Sequence, residues 1–224
     1  MIRELALASL VLLPAGAAAM DLSAASAANY RVPISSLKEI RFKSTQRQQY
    51  DFSCGSAALA TLLTYHYGHV VSEIDIFERM FAQGDQGKIR NEGFSLLDMR
   101  RYLVGIGFAA DGFEQPLQKL VDANLPAIVL ISEKGYHHFV VIKGSADGRV
   151  LLGDPSAGTR SVSRKHFEEL WANKLLFVIH GYKDRPLFNL ASDWRAAPPA
   201  PLAQGINRAG LELLTMPKFG PGDF

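Results

Sequence analysis

The sequence predicts an α+β protein in which a helical first half packs on a mostly antiparallel sheet drawn from the second half. Between residues 53 and 105 the apolar residues recur at helical spacing behind serine caps. From 127 to 181 they gather instead into four short runs rich in β-branched residues and bounded by turn formers. One helical stretch alone interrupts those runs, so helices and strands are segregated rather than alternating, the pattern of α+β folds. The 224 residues, 48% hydrophobic and 21% charged, suffice for one developed core.

The elements follow in order. "MIRELALASLVLLPAGAAAM" places Arg3 before an apolar run from Leu5 to Leu13 and the small residues Ala17, Ala18 and Ala19. That is the pattern of a secretory leader over 1–19, cleaved after Ala19 or at a second small-residue site near Ala27. Its apolar core is well short of the ~20 residues a spanning helix needs, and no later segment is long and apolar enough either. The expectation is an exported chain, placed in the periplasm. Residues 20–39, rich in Ala and Ser, read as a linker or arm. "SCGSAALATLLTYHY" is apolar almost all round, which marks a buried helix, with Gly68 as its stop. "SEIDIFERMFAQ" is an amphipathic helix capped by Ser72; its Phe77, Met80 and Phe81 stripe reads as core. "GDQGKIRNEG" reads as a polar loop, and "SLLDMRRYLVGIG" as a helix with Ser95 and Asp98 forming a capping box. The strands are 127–132, 137–144, 149–154 and 175–181, with a helix in "SRKHFEELW". These elements define a body over 40–182, followed by a proline-rich tail over 183–224.

Composition narrows the function. A net charge of +2, without a basic run or zinc-finger spacing, argues against a nucleic-acid partner. "YLVGIGF" lacks phosphate-loop spacing. His66 and His69 stand at i, i+3 but lack a third ligand nearby, and read as two exposed turn histidines; His166 and His180 read as a helix-surface and a strand-end residue. No metal or organic cofactor is implied.

The chain has one cysteine, Cys54. In an oxidising compartment structural cysteines come in pairs, so a lone thiol is either buried and inert, bridged to another molecule, or reactive. Asp51 or Ser53 can cap the helix, which puts Cys54 in its first turn, where unpaired N–H groups and the macrodipole favour a thiolate. Gly55 and Ser56 beside it are small enough to leave the sulfur approachable.

A hairpin supplies a base. "GSADG" links 137–144 to 149–154, and a turn centred on Ala146 sets Ile142 opposite Val150, Val140 opposite Leu152 and His138 opposite Asp154. Opposed residues have Cβ atoms about 4.5–5.5 Å apart, within reach of an imidazole–carboxylate hydrogen bond. His137 points to the other face. Cys54, His138 and Asp154 are then the set that nucleophilic acyl chemistry needs. Gln48, six residues before Cys54, is a candidate oxyanion donor with rivals in Gln46 and Gln49, among which spacing does not choose.

The order Gln48…Cys54-Gly55, His138-Phe139 and Asp154-Pro155…Gly158 resembles the C39 family of papain-like cysteine peptidases over roughly residues 40 to 180. The resemblance implies a papain-like fold, with Cys54 as nucleophile, His138 as base, Asp154 as orienting acid and Gln48 as oxyanion donor. Many such peptidases are fused to peptide-exporting ABC transporters and cleave leader peptides after a double glycine. This chain has neither a P-loop nor transmembrane helices, and its size, leader and free-standing form look most like the exported C39-like components of the Fap functional-amyloid system of pseudomonads. The implied partner is a polypeptide substrate, an amyloid subunit or a secretion-pore component. Transglutaminase-like enzymes typically place Trp after the nucleophile, where this chain has Gly55, and NlpC-type amidohydrolases place Asp before it, where this chain has Ser53. A C39-like module that binds an export substrate without cleaving it is the alternative of a different class.

Overall fold

The computed structural model describes residues 36–198. The expected leader, the arm up to residue 35 and the tail from 199 onward lie outside the described residues. A short helix α1 (Leu37–Phe42) begins at Ser36, whose hydroxyl accepts from Glu39 N while the Glu39 carboxylate accepts from Ser36 N. Three longer helices follow: α2 (Cys54–His66), α3 (Glu73–Gln83) and, after the short α4 (Gln86–Glu92), α5 (Leu96–Gly105). The caps at Ser72 and Ser95 form as expected, and Gly68 ends α2 at φ +69°, where a side chain would be strained. α4 occupies the segment read as a loop. Its N-cap Asp85 accepts from Lys88 N, but Ile89 is its one buried residue, so no apolar period announces it.

The second half contains β1 (Ala109–Glu114), α6 (Leu117–Ala123), β2 (Ala127–Glu133), β3 (Tyr136–Ala146), β4 (Arg149–Asp154), β5 (Gly158–Ser163), α7 (Arg164–Leu170), β6 (Leu175–His180) and α8 (Ala191–Ala196). The six strands form one sheet in the order β1-β6-β2-β3-β4-β5, with every neighbouring pair antiparallel. The four expected strands are the interior ones. Their apolar runs are continuous because both faces of the sheet are covered. Phe139, Val141, Phe177 and Ile179 face α2, α3 and α5; Val140, Ile142, Val150, Leu152 and Val178 pack on the other side with α6, α7 and Phe188. The unexpected strands, "AADGFE" and "GTRSVS", are the two edges, where partial burial tolerates Asp, Gly and Ser.

The hairpin between β3 and β4 departs from the expected register. Its turn is Asp147-Gly148, both at positive φ, rather than a link centred on Ala146. Ala146 therefore pairs with Arg149 and Ser145 with Val150. A bulge at Lys143 then shifts the register by one residue, so that Ile142 pairs with Leu152 and Val141 with Gly153. Without the bulge, the tight turn would send His138 and Asp154 to opposite faces; the extra residue returns them to the same face. They are diagonal neighbours beyond the last ladder pair, not directly opposed residues.

The bulge turns Lys143 wholly inward. Its ammonium meets Asp193 Oδ2 at 3.1 Å and donates to Ser44 O and Ser44 Oγ, each at 2.7 Å. Asp193 lies on α8, in the stretch the sequence assigns to the tail. That stretch is tied down twice more. Asn189 N donates to Lys143 O at 2.8 Å; His66 and Leu187 exchange two bonds, Leu187 N to His66 O and His66 Nδ1 to Leu187 O. His66 is thus buried, not exposed as the sequence suggested; its neighbour His69 is exposed. Desolvation, with the Lys143 charge adding, holds the His66 imidazole down at about 4.

Two outcomes follow. Asp193→Ala strands a buried ammonium and should cost about 3–5 kcal/mol in urea unfolding, because the pair loses one member rather than both. His66 takes up its proton near pH ~6.5 only when unfolded, so stability should fall as pH drops from there towards 4, by about 3 kcal/mol in total. His66→Gln should flatten that decline when unfolding free energies are measured at neutral and acid pH.

Candidate active site

Cys54 is the first residue of α2, and the helix has no side-chain N-cap. Ser53 occupies the cap position, but its hydroxyl donates to Tyr50 O and accepts from Tyr50 N, each at 3.1 Å. Asp51 does not cap either; its carbonyl accepts from Tyr136 Oη at 2.9 Å. The first-turn N–H groups are left to the thiol, which draws on the backbone of Cys54, Gly55 and Phe139. The contact with Phe139 exists because the β3–β4 ladder stops at Val141 and Gly153, leaving the start of β3 unpaired on that side. Burial nevertheless dominates and pushes the Cys54 thiol up; those backbone hydrogen bonds pull against it, and the Asp154 charge adds to the rise. Burial thus opposes the thiolate that the helix start alone would favour.

Gly55 and Ser56 are small for packing reasons. A Cβ on Gly55 would lie 2.9 Å from Met99 Cε and 3.0 Å from Phe94 Cβ, so glycine lets α5 close on α2. Ser56 is buried and donates to Ser53 O and Glu73 Oε1.

On β3, His138 Nε2 donates to Asp154 Oδ2 at 3.1 Å, and both side chains are buried. His138 Nδ1 is sealed from solvent and has no hydrogen-bond partner. A buried ring nitrogen without a partner costs free energy in the folded state, and a catalytic role is one reason for a protein to keep it. His137 is exposed, one position away on the other face. Asp154 is held from all sides: Oδ1 accepts from Ser156 N, Ser156 Oγ and Ala157 N, and Oδ2 also accepts Arg160 Nε at 3.0 Å. Burial alone would raise its carboxyl, but the hydrogen bonds from His138 and Ser156 and the His138 charge override this and hold it well below the usual carboxylate range.

The structure separates the three glutamines. Gln46 is bound on all sides by Thr61, Thr64, Val71 and Glu73 and serves as a structural clamp. Gln49 is exposed. Gln48 is docked at the site by its backbone N–H, which donates to Pro155 O at 3.1 Å beside Asp154. Its side-chain amide donates to Tyr50 O at 3.1 Å and lies 3.5 Å from Asp51 O, in the loop just before Cys54. Sequence reasoning missed Tyr136 and Arg160. The Tyr136 ring stacks on His138 at 5.5 Å and is half exposed, forming one wall of the site. Its signal was the strand period, which sets residues 136 and 138 on one face. Arg160 had no such signal, because its strand was not legible. His166 and His180 are exposed as expected, paired with Glu169 and Asp111. Met80 is buried, and Phe77 and Phe81 pack on the core.

The model of the peptidase C39 family matches residues 42–181. A protein named "Probable functional amyloid protease FapD" from Pseudomonas fluorescens is 39% identical over 148 residues, 66% of this chain and 65% of its own. The protein of the same name from Pseudomonas aeruginosa is 38% identical over the same shares. The chain thus spans just under two thirds of the length of these relatives. The crystal structure of the peptidase domain of Streptococcus ComA, a bifunctional ABC transporter involved in a quorum-sensing pathway, superposes with a TM-score of 0.51 at 22% identity, covering 61% of this chain and 96% of that domain. The α+β fold is that of these papain-like peptidase domains. Among the described residues, no helix is long and apolar enough to cross a membrane.

The lowered Asp154 carboxyl stabilises the fold above the ordinary carboxylate value near ~4, and that contribution is lost as pH falls through its own lower value. Asp154→Asn should therefore cost roughly 2–4 kcal/mol at neutral pH, a gap that narrows below about pH 4 in urea titrations.

Proposed function

Because the chain belongs to the peptidase C39 family, we propose that it is a cysteine endopeptidase in which Cys54, His138 and Asp154 react and Gln48 assists. The observation that carries this reading is His138, fixed through Nε2 by Asp154 and left with a buried, unpartnered Nδ1, while the same Asp154 acts on the Cys54 thiol through its charge. In the reaction, Nδ1 takes the Cys54 proton as Sγ attacks the scissile carbonyl carbon. The Cys54 N–H and, after leaving the Tyr50 carbonyl, the Gln48 amide donate to the developing oxyanion. The imidazolium then protonates the leaving amine, and water, deprotonated by His138, hydrolyses the thioester to release the acid and restore the thiol. Base abstraction from a protonated thiol fits a buried sulfur whose thiolate is disfavoured.

The similarity to proteins named for functional amyloid supports a substrate among secreted polypeptides: an amyloid subunit, its leader, or a component of its secretion pore. We place the chain in the periplasm, led there by residues 1–19, with the peptidase domain built on 40–182. The competing reading, a module that binds such a substrate without cutting it, draws on the engagement of the Gln48 amide with local carbonyls.

Comparing the secreted proteins of cells carrying the parent or Cys54→Ala distinguishes the two readings. The peptidase predicts that one secreted protein keeps its unprocessed form with Cys54→Ala. His138→Ala should slow processing by about 10²–10⁴-fold, while His137→Ala stays within a few-fold of the parent. Normal processing by a folded Cys54→Ala chain would sink the enzyme reading, and capture without cleavage by the parent would favour the binding module.

A further inference from the structure

The carboxylate that orients His138 also carries a cation. Arg160 and His138 donate to the same oxygen, Asp154 Oδ2, at 3.0 and 3.1 Å. The other oxygen is filled by Ser156 and Ala157, so Asp154 accepts five hydrogen bonds, which saturates a carboxylate and leaves it no rotation. Arg160 Nη2 continues to Glu133 Oε2 at 2.9 Å, at the end of β2. A run of alternating charge thus leads from the buried centre towards solvent: the Asp154 side chain is 2% exposed, Arg160 22% and Glu133 37%. Register explains the contact. Arg160 pairs with Leu152 and Asp154 with Gly158, so Arg160 and Asp154 are diagonal neighbours on one face. An edge strand needs no arginine there, and the planar fork that meets two carboxylates at once is specific to that residue.

We propose that Arg160 is a positioning residue for the reacting set: it keeps Asp154 Oδ2 on His138 and offsets part of the carboxylate charge felt by the thiol, while Glu133 sets how much of the Arg160 charge remains. This rests on the reading of Cys54, His138 and Asp154 as that set. Asp154 on β4 and Tyr136 on β3 act on the thiol directly; His138 on β3 and Arg160 on β5 are joined to Asp154, Glu133 on β2 to Arg160, and Asp51 ahead of α2 to Tyr136. The signs are opposed. Removing the Arg160 charge leaves Asp154 less compensated and disfavours the thiolate. Removing the Glu133 charge strengthens the Arg160 compensation and favours it.

Cys54 is the single cysteine, so iodoacetamide alkylation of the full chain, followed by mass spectrometry across pH, reports this thiol alone. Arg160→Gln should move the midpoint of the alkylation profile up by about one pH unit. Arg160→Lys, which keeps the charge, should stay near the parent. Glu133→Gln should move the midpoint down by roughly half a unit, less because Glu133 is partly screened by solvent. A folded Arg160→Gln chain with the parent midpoint overturns the proposal, as does a shift of both charge-removing variants in the same direction. If Arg160→Gln does not fold, Glu133→Gln decides: a downward shift supports the coupling, and an unmoved midpoint overturns it. Alkylation does not require turnover, so a chain that shows these shifts yet cleaves nothing refutes the peptidase assignment and leaves the Arg160 coupling standing.

Discussion

The one-residue bulge at Lys143 is the constraint on which the rest of the site depends. A two-residue Asp-Gly turn fixes the hairpin register tightly, and that register alone would separate His138 from Asp154 by the thickness of the sheet. The inserted residue corrects this and leaves a charged side chain pointing into the interior. The ammonium at 143 stays there because Asp193 and Ser44 meet it. The strand geometry that serves the site is therefore underwritten by a polar cluster on the far end of the hairpin. The segment after β6 belongs to this arrangement, since α8 supplies the counter-charge and Asn189 lies against Gly144 so closely that a Cβ there would stand 2.5 Å from its side-chain oxygen.

Where the β3–β4 ladder ends, two strands part and a third segment enters. The loop around Gln48 pairs with Pro155, and the start of α2 brings the thiol to the backbone of Phe139. Imidazole and carboxylate thus meet at a place where regular pairing has stopped, and the start of α2 is brought to the same end of the ladder. The same burial that encloses the thiol also disfavours its thiolate. Asp154 holds the His138 ring through Nε2 and is itself pinned by the turn at Ser156 and by Arg160.

The chemistry-bearing residues were legible from types and order: a lone cysteine at a helix start, a histidine in a strand, an aspartate at the next strand's end. The contact of His138 with Asp154 was legible only by good fortune in the register. The expected turn was misplaced and the bulge unseen, and the two errors offset each other in parity, so His138 and Asp154 remained on one face. Edge strands β1 and β5 and the helix α4 escaped notice because each buries too few apolar residues to leave a period. With β5 went Arg160, whose role rests on a strand the pattern did not reveal.

By itself, the sequence determined the three longer helices, the four interior strands and the side chains that carry reactive groups, because caps, glycines and apolar periods are local properties read over a few residues. It also determined the family, because Gln48, Cys54, His138 and Asp154 stand in a recognisable order. The tertiary structure decided what each group experiences: that Gln48 and not Gln46 or Gln49 stands at the site, that the Cys54 thiol is held up by burial, and that His66 and Lys143 are interior. Those outcomes depend on desolvation and on partners as far as 149 residues apart in the chain, as Ser44 and Asp193 are, and no local pattern encodes them.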